Sequence, residues 1–207
     1  LFRRFTRSER LIECDDPAIR ALAAEIVGEE ANPYQRARRI FVWVCDNLTY
    51  VYPPGERGAL PTLARRCGDC GEYSFLFIAL CRAAGIPARL VAGFQWTEES
   101  AGYHAWAEFH LPGLGWLPAD ASRADSADGS HDLGRFFAHL PNDRLIASVG
   151  TNLPIQPAQD WATWGNSDIG RNVTDFMQLF TLAGSGFDAS FQSERRVLSS
   201  VPVSRSR

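Results

Sequence analysis

Phe75, Leu76, Phe77, Ile78, Ala79 and Leu80 follow one another without a polar position. No helical or strand period can turn one face of such a run toward water, so it must be covered on every side. Cys70 to Ala84 reads as a single helix, because Gly85 stops it and Pro87 prevents its continuation. The rest of the chain has to supply the layers around that helix. Composition allows this: 45% of the 207 residues are hydrophobic, with 13 Phe and 6 Trp, enough for a full core and against disorder.

The surrounding elements carry their own signals. Asp15-Asp16-Pro17 and Asn32-Pro33 are helix starts, with a capping side chain ahead of a Pro at the first helical position. Ile19, Leu22, Ala23, Ile26 and Val27 follow the first at helical spacing; Ala37, Ile40, Phe41, Val44 and Cys45 share a face after the second. Leu48 to Tyr52 reads as a short strand, and the stretch on to Arg66 as loop with one helical turn. Arg89 to Trp96, Tyr103 to Leu111 and Trp116 to Asp120 read as strands, the last two joined by turn chemistry at Pro112-Gly113-Leu114-Gly115. Ala121 to His139 reads as polar, acidic loop, Arg144 to Val149 and Val173 to Leu182 as further strands, Trp161 to Gly170 as loop, and the chain from Ser193 as a frayed end.

Cys70 opens the buried helix. A thiol in a first helical turn meets unsatisfied N–H groups and the positive end of the helix dipole, both of which favour the thiolate. Its own N–H would serve an oxyanion, and Gly68 and Gly71 would leave room for a carbonyl to approach. His104, Trp106, Glu108 and His110 point to one side of their strand; Tyr103, Ala105, Ala107 and Phe109 point to the other. His104 and Asp120 have an even sum, so an odd-length turn near Pro112 or Gly113 puts them opposite each other or one diagonal step apart. Taken singly, Cys70 also reads as a structural thiol and His104 as a surface histidine. Together the three make a nucleophile, a base and an orienting carboxylate.

The order and spacing of these residues carry a resemblance. Cys67-Gly68-Asp69-Cys70-Gly71-Glu72-Tyr73 and the run from Ala79 to Phe94 resemble the nucleophile helix and first strand of the transglutaminase-like superfamily. His104 to Phe109 resembles its histidine strand, and Gly115 to Ser122 its aspartate strand, although no Pro follows Asp120. The resemblance runs from about Ala37 to Val149 within a single 207-residue domain. It implies a papain-like α+β fold, the nucleophile helix packed on an antiparallel sheet, and a catalytic triad of Cys70, His104 and Asp120 with no cofactor or metal. It also implies a thioester acyl-enzyme formed on a peptide or protein substrate. Water as acceptor makes a peptidase or amidase, the favoured reading. An amine makes a transglutaminase, and a non-catalytic binding domain is a further alternative. Trp43, Asn47 and Tyr50 are the upstream candidates for a side-chain oxyanion donor.

Other signals are weaker. Cys67-Gly68-Asp69-Cys70 is a C-x-x-C, but no buried strand precedes it as a thioredoxin-like site requires. With only Cys81 added, that pair lacks the four ligands of a zinc site. Asp125, Asp128 and Asp132 fail the calcium-loop pattern at Ala124 and Ser126. Asn172-Val173-Thr174 is a glycosylation triplet of a kind that arises by chance. A net charge of −3 gives no field for nucleic acid. No apolar run approaches the roughly 20 residues of a membrane span. Leu1 to Glu13, charged throughout, does not read as a signal peptide, which tips the expectation toward the cytoplasm; the chain starts without Met, so what precedes Leu1 is open. The Lys and Arg positions are all Arg.

Overall fold

The structure is a computed structural model describing residues 2–96, 101–125 and 131–151, and the strand segments 153–154 and 172–173. The expected loop at 161–170, the frayed end from Ser193, and all but the start of the expected strand at 173–182 lie outside the described residues.

Two capped helices lead the fold. In α1 (Pro17–Val27) the Asp16 carboxylate accepts the Ala18 N–H at 2.8 Å; in α2 (Pro33–Asn47) the Asn32 side chain accepts those of Tyr34 and Gln35. Ile19, Ala23 and Val27 of α1, and Ala37, Ile40, Phe41, Val44 and Cys45 of α2, are buried, as their spacing predicts. Strand β1 (Thr49–Tyr50) pairs in parallel with β2 (Cys67–Gly68). Between them lies α3 (Ala59–Arg65), a helix where the sequence suggests loop with a single turn. The local reading misses it because Gly58 has no side chain to cap with. The cap comes from far along the chain: the Glu13 carboxylate accepts the N–H groups of Ala59 and Leu60 at 3.0 and 3.2 Å.

Helix α4 (Cys70–Ala83) is the centre of the molecule. Helices α1, α2 and α3 pack on it, and it rests on strands β3 (Ala88–Trp96) and β4 (Ala101–Leu111). Leu76, Ile78 and Leu80 have no exposed surface and Phe77 has 1%. Burying each of these side chains contributes about 1.5–3 kcal/mol relative to leaving it in water.

The sheet beneath is antiparallel, with order β5-β4-β3-β6, where β5 is Gly115–Ala119 and β6 is Arg144–Val149. Its β4–β5 turn is Pro112-Gly113-Leu114, with Gly113 at φ +80°. Between β3 and β6 the register slips at Ala92/Gly93, and a Cβ on Gly93 would lie 1.9 Å from the Leu145 carbonyl oxygen. Only glycine admits that approach.

The stretch from Ala121 to His139, expected as loop, contains two one-turn helices, α5 (Ala121–Ala124) and α6 (Leu133–Phe136). Asp120 and Asp132 cap them, and Phe136 and Phe137 anchor them in the interior. Short strands β7 (Leu153–Pro154) and β8 (Asn172–Val173) pair with each other.

Candidate active site

The register of the β4–β5 hairpin fixes how His104 meets Asp120. Ala107 pairs with Ala119 and Phe109 with Leu117, so Asp120, one residue past β5, comes level with Trp106. His104 is therefore one diagonal step away on the same face. Its Nε2 lies 2.6 Å from Asp120 Oδ2, with His104 7% exposed and Asp120 1%. A two-residue turn would have put the two side chains on opposite faces.

Asp120 is held by more than His104. Its Oδ2 also accepts from Arg144 Nη2 at 2.6 Å; its Oδ1 accepts from Ser122 Oγ at 2.9 Å and from the Arg123 N–H at 3.2 Å. Burial pushes this carboxyl up. The charge and hydrogen bond of His104, the charge of Arg144 and the hydrogen bond of Ser122 outweigh it and hold Asp120 below its ordinary value. Ser122 stands near the position where the family pattern often has Pro, and it supplies one of these bonds.

The sequence reading does not identify Arg144 as part of the site. Its strand is legible, but the slip at Ala92/Gly93 that aligns β6 is not. Arg144 also donates to Asp143 Oδ1 at 2.8 Å, and its guanidinium lies 5.6 Å from the Trp106 ring centre. Asp143 Oδ2 accepts from Gln95 Nε2, and Gln95 Oε1 accepts from Arg123 Nε. The bonds run in a closed ring: Asp120, Arg144, Asp143, Gln95, Arg123 and back to Asp120.

Cys70 is the first residue of α4 and 4% exposed. Ahead of it the Asp69 carboxylate accepts the Gly71 N–H at 2.7 Å, and the Glu72 carboxyl accepts the Asp69 N–H at 3.3 Å, forming a capping box. Arg57 pairs with both acids at 3.3 Å. Burial, and next the Asp69 hydrogen bond and charge, push Glu72 above the usual carboxylate range, against the pull of Arg57. Glu72 thus leans toward its neutral form while Arg57 pairs with Asp69 at the start of α4.

This cluster gives two glycines a packing role. A Cβ on Gly68 would meet the Glu72 Cβ at 2.3 Å, and one on Gly71 would meet Arg57 Nη1 at 2.9 Å. The missing side chains make room for the buried acids and their arginine.

Of the upstream candidates, Asn47 donates from Nδ2 to the Trp43 carbonyl, and the Trp43 ring lies under the Arg66 guanidinium at 4.6 Å. Tyr50 differs: its phenol, pushed up to about 12 by burial first, senses the charges of Cys70, Asp69 and Arg123.

No disulfide joins the five cysteines. Among the described residues no His, Cys, Asp and Glu side chains group to hold a metal, and no helix is long and apolar enough to cross a membrane.

Comparison with known proteins agrees with this architecture. The profile of the Transglutaminase-like superfamily matches residues 20–121. An uncharacterized protein of Haemophilus influenzae is 29% identical over 134 residues, 52% of this chain and 36% of that protein. A Pseudomonas aeruginosa protein named protein-glutamine gamma-glutamyltransferase is 32% identical over 120 residues, 51% of this chain and 18% of that protein. The chain thus spans well under two thirds of these curated relatives. Among solved structures, a candidate cysteine protease from Cytophaga hutchinsonii superposes with a TM-score of 0.58 at 26% identity, covering 72% of this chain and 46% of that one. With a helix opening on Cys70 packed on an antiparallel sheet, and the family's profile matched over residues 20–121, the chain belongs to the transglutaminase-like superfamily.

Proposed function

We propose that this protein is a cysteine-dependent amide-processing enzyme in which Cys70 attacks a carboxamide or peptide carbonyl and forms a thioester. The observation that carries the reading is the buried 2.6 Å contact of His104 Nε2 with Asp120. With Nε2 held there, His104 Nδ1 is the nitrogen left to take the thiol proton and later return it to the leaving amine. Asp120 orients the ring and balances its charge. The start of α4 offers its dipole to the oxyanion, and Tyr50, whose phenol senses the Cys70 charge, is the candidate side-chain donor.

Water as acceptor makes the product a free acid, the primary reading, because no sequence motif marks a dedicated amine-acceptor site. The likeness to a protein named protein-glutamine gamma-glutamyltransferase supports amine transfer as the second. Mass spectrometry of the acyl-enzyme against peptides and glutamine donors, with and without an added amine, separates them. Free acid as the main product at high amine concentration supports hydrolysis; amine conjugates dominating across donors overturn it.

The triad is tested on the same substrates. Cys70→Ala and His104→Ala each abolish turnover in folded protein, and Asp120→Ala is milder because the Cys-His pair survives without its orientation. Wild-type turnover in folded His104→Ala removes the mechanism. Tyr50→Phe lowers kcat by roughly 10²-fold, the scale of a lost oxyanion donor, with little change in KM.

A further inference from the structure

We propose that Arg144 is a positioning residue for the triad: its guanidinium clamps Asp120 and keeps it ionised and aimed at His104. The inference rests on the function proposed above and deepens it.

The geometry is specific. Arg144 Nη2 and His104 Nε2 both reach Asp120 Oδ2 at 2.6 Å. The Arg144 side chain is 4% exposed, and its other terminal nitrogen is fixed on Asp143 Oδ1. Its guanidinium lies 5.6 Å from the Trp106 ring centre and 5.7 Å from that of Phe136. Asp143 is tied through Gln95 to Arg123, whose N–H returns to Asp120. A side chain held at each point of a closed ring is restricted to a narrow set of rotamers, and it fixes its partner in turn.

The charged and titratable groups facing Asp120 can be named element by element. Strand β6 contributes Arg144, the residue before it is Asp143, α5 contributes Arg123, and β4 contributes His104. Helix α2 contributes Cys45, a thiol that senses the Asp120 charge. Burial works against the Asp120 anion, so that anion depends on its cations. With Arg144 removed, Asp120 takes up a proton at a higher pH and releases His104 from its orientation. A packing role alone would slow the enzyme equally at every pH.

The test follows alkylation of Cys70 by iodoacetamide against pH, resolved by peptide mass spectrometry, so it needs no substrate. In Arg144→Gln the acid limb of the rate profile moves up by about one pH unit; Arg144→Lys restores most of the wild-type profile. An unmoved acid limb in folded Arg144→Gln overturns the inference. Should Arg144→Gln fail to fold, Asp143→Asn decides. It frees the guanidinium for Asp120, so the acid limb moves down, and an unmoved limb counts against the clamp. His104→Ala in the same assay separates the two levels. If it leaves Cys70 alkylation unchanged at neutral pH, the triad reading fails. If it slows alkylation while Arg144→Gln leaves the limb in place, only the clamp fails.

Discussion

Glu72 and Asp120 are both buried carboxyls, and burial pushes each toward its neutral form. Their partners decide the outcome. Asp120 faces the Arg144 guanidinium and the His104 ring and stays low; Glu72 shares one arginine with a second acid and goes up. The consequences for stability have opposite signs. The Asp120 contribution is present above the ordinary Asp value of about 3.9 and is lost as pH falls through its lower folded value. Glu72 costs nothing well below the ordinary Glu value of about 4.3, and its cost grows as pH rises from there toward its raised folded value. Glu72→Gln is therefore expected to raise the thermal midpoint at pH 8 and leave it nearly unchanged at pH 4, as calorimetry at the two pH values checks. Thiol reactivity follows the same physics. Burial pushes Cys14, Cys45 and Cys81 up, so iodoacetamide should modify Cys70 before any of them in folded protein. Peptide mapping that finds Cys81 labelled first would contradict this.

Elements that carry their own instructions were legible in the sequence; those instructed from a distance were not. Asp16-Pro17 and Asn32-Pro33 announce α1 and α2 locally, and the unbroken apolar run announces a helix covered on all sides. Helix α3 is capped by Glu13, which no local pattern reveals. Glu13→Ala is accordingly expected to cost about 1 kcal/mol, read as a shift of the denaturation midpoint. The same division holds at the site. Cys70, His104 and Asp120 lie on elements whose spacing is readable, and the parity of the hairpin decides the faces of His104 and Asp120. Arg144 enters only through the β3–β6 slip, which depends on Gly93 coming close to the Leu145 carbonyl. Gly93→Ala should push β6 away, lengthen the Arg144–Asp120 contact and reduce Cys70 alkylation more than it reduces the thermal midpoint. At Gly68 the glycine is legible in the sequence, but the packing need that Glu72 places on it is not.

At the scale of the molecule, the absence of lysine bears on acyl transfer. Within these 207 residues no ε-amine exists to attack a thioester, whereas Gln35, Gln95, Gln156, Gln159, Gln178 and Gln192 offer carboxamides. Incubated alone, the chain is expected to form no lysine-linked oligomers whichever acceptor it uses, as denaturing electrophoresis checks. A ladder resistant to denaturant and reductant would show linkage through another nucleophile.

The proposed nucleophile is carried by the element with the most cover. Helix α4 has α1, α2 and α3 around it and the sheet beneath, and its residues from Cys70 to Arg82 are buried. Solvent cannot reach its middle turns unless those layers come apart together. Their backbone amides should exchange hydrogen for deuterium only through the global opening, with the full free energy of unfolding and the full denaturant dependence. A scaffold of this kind has no separate melting of its site: the temperature that dissolves the core is the temperature that takes the thiol out of register.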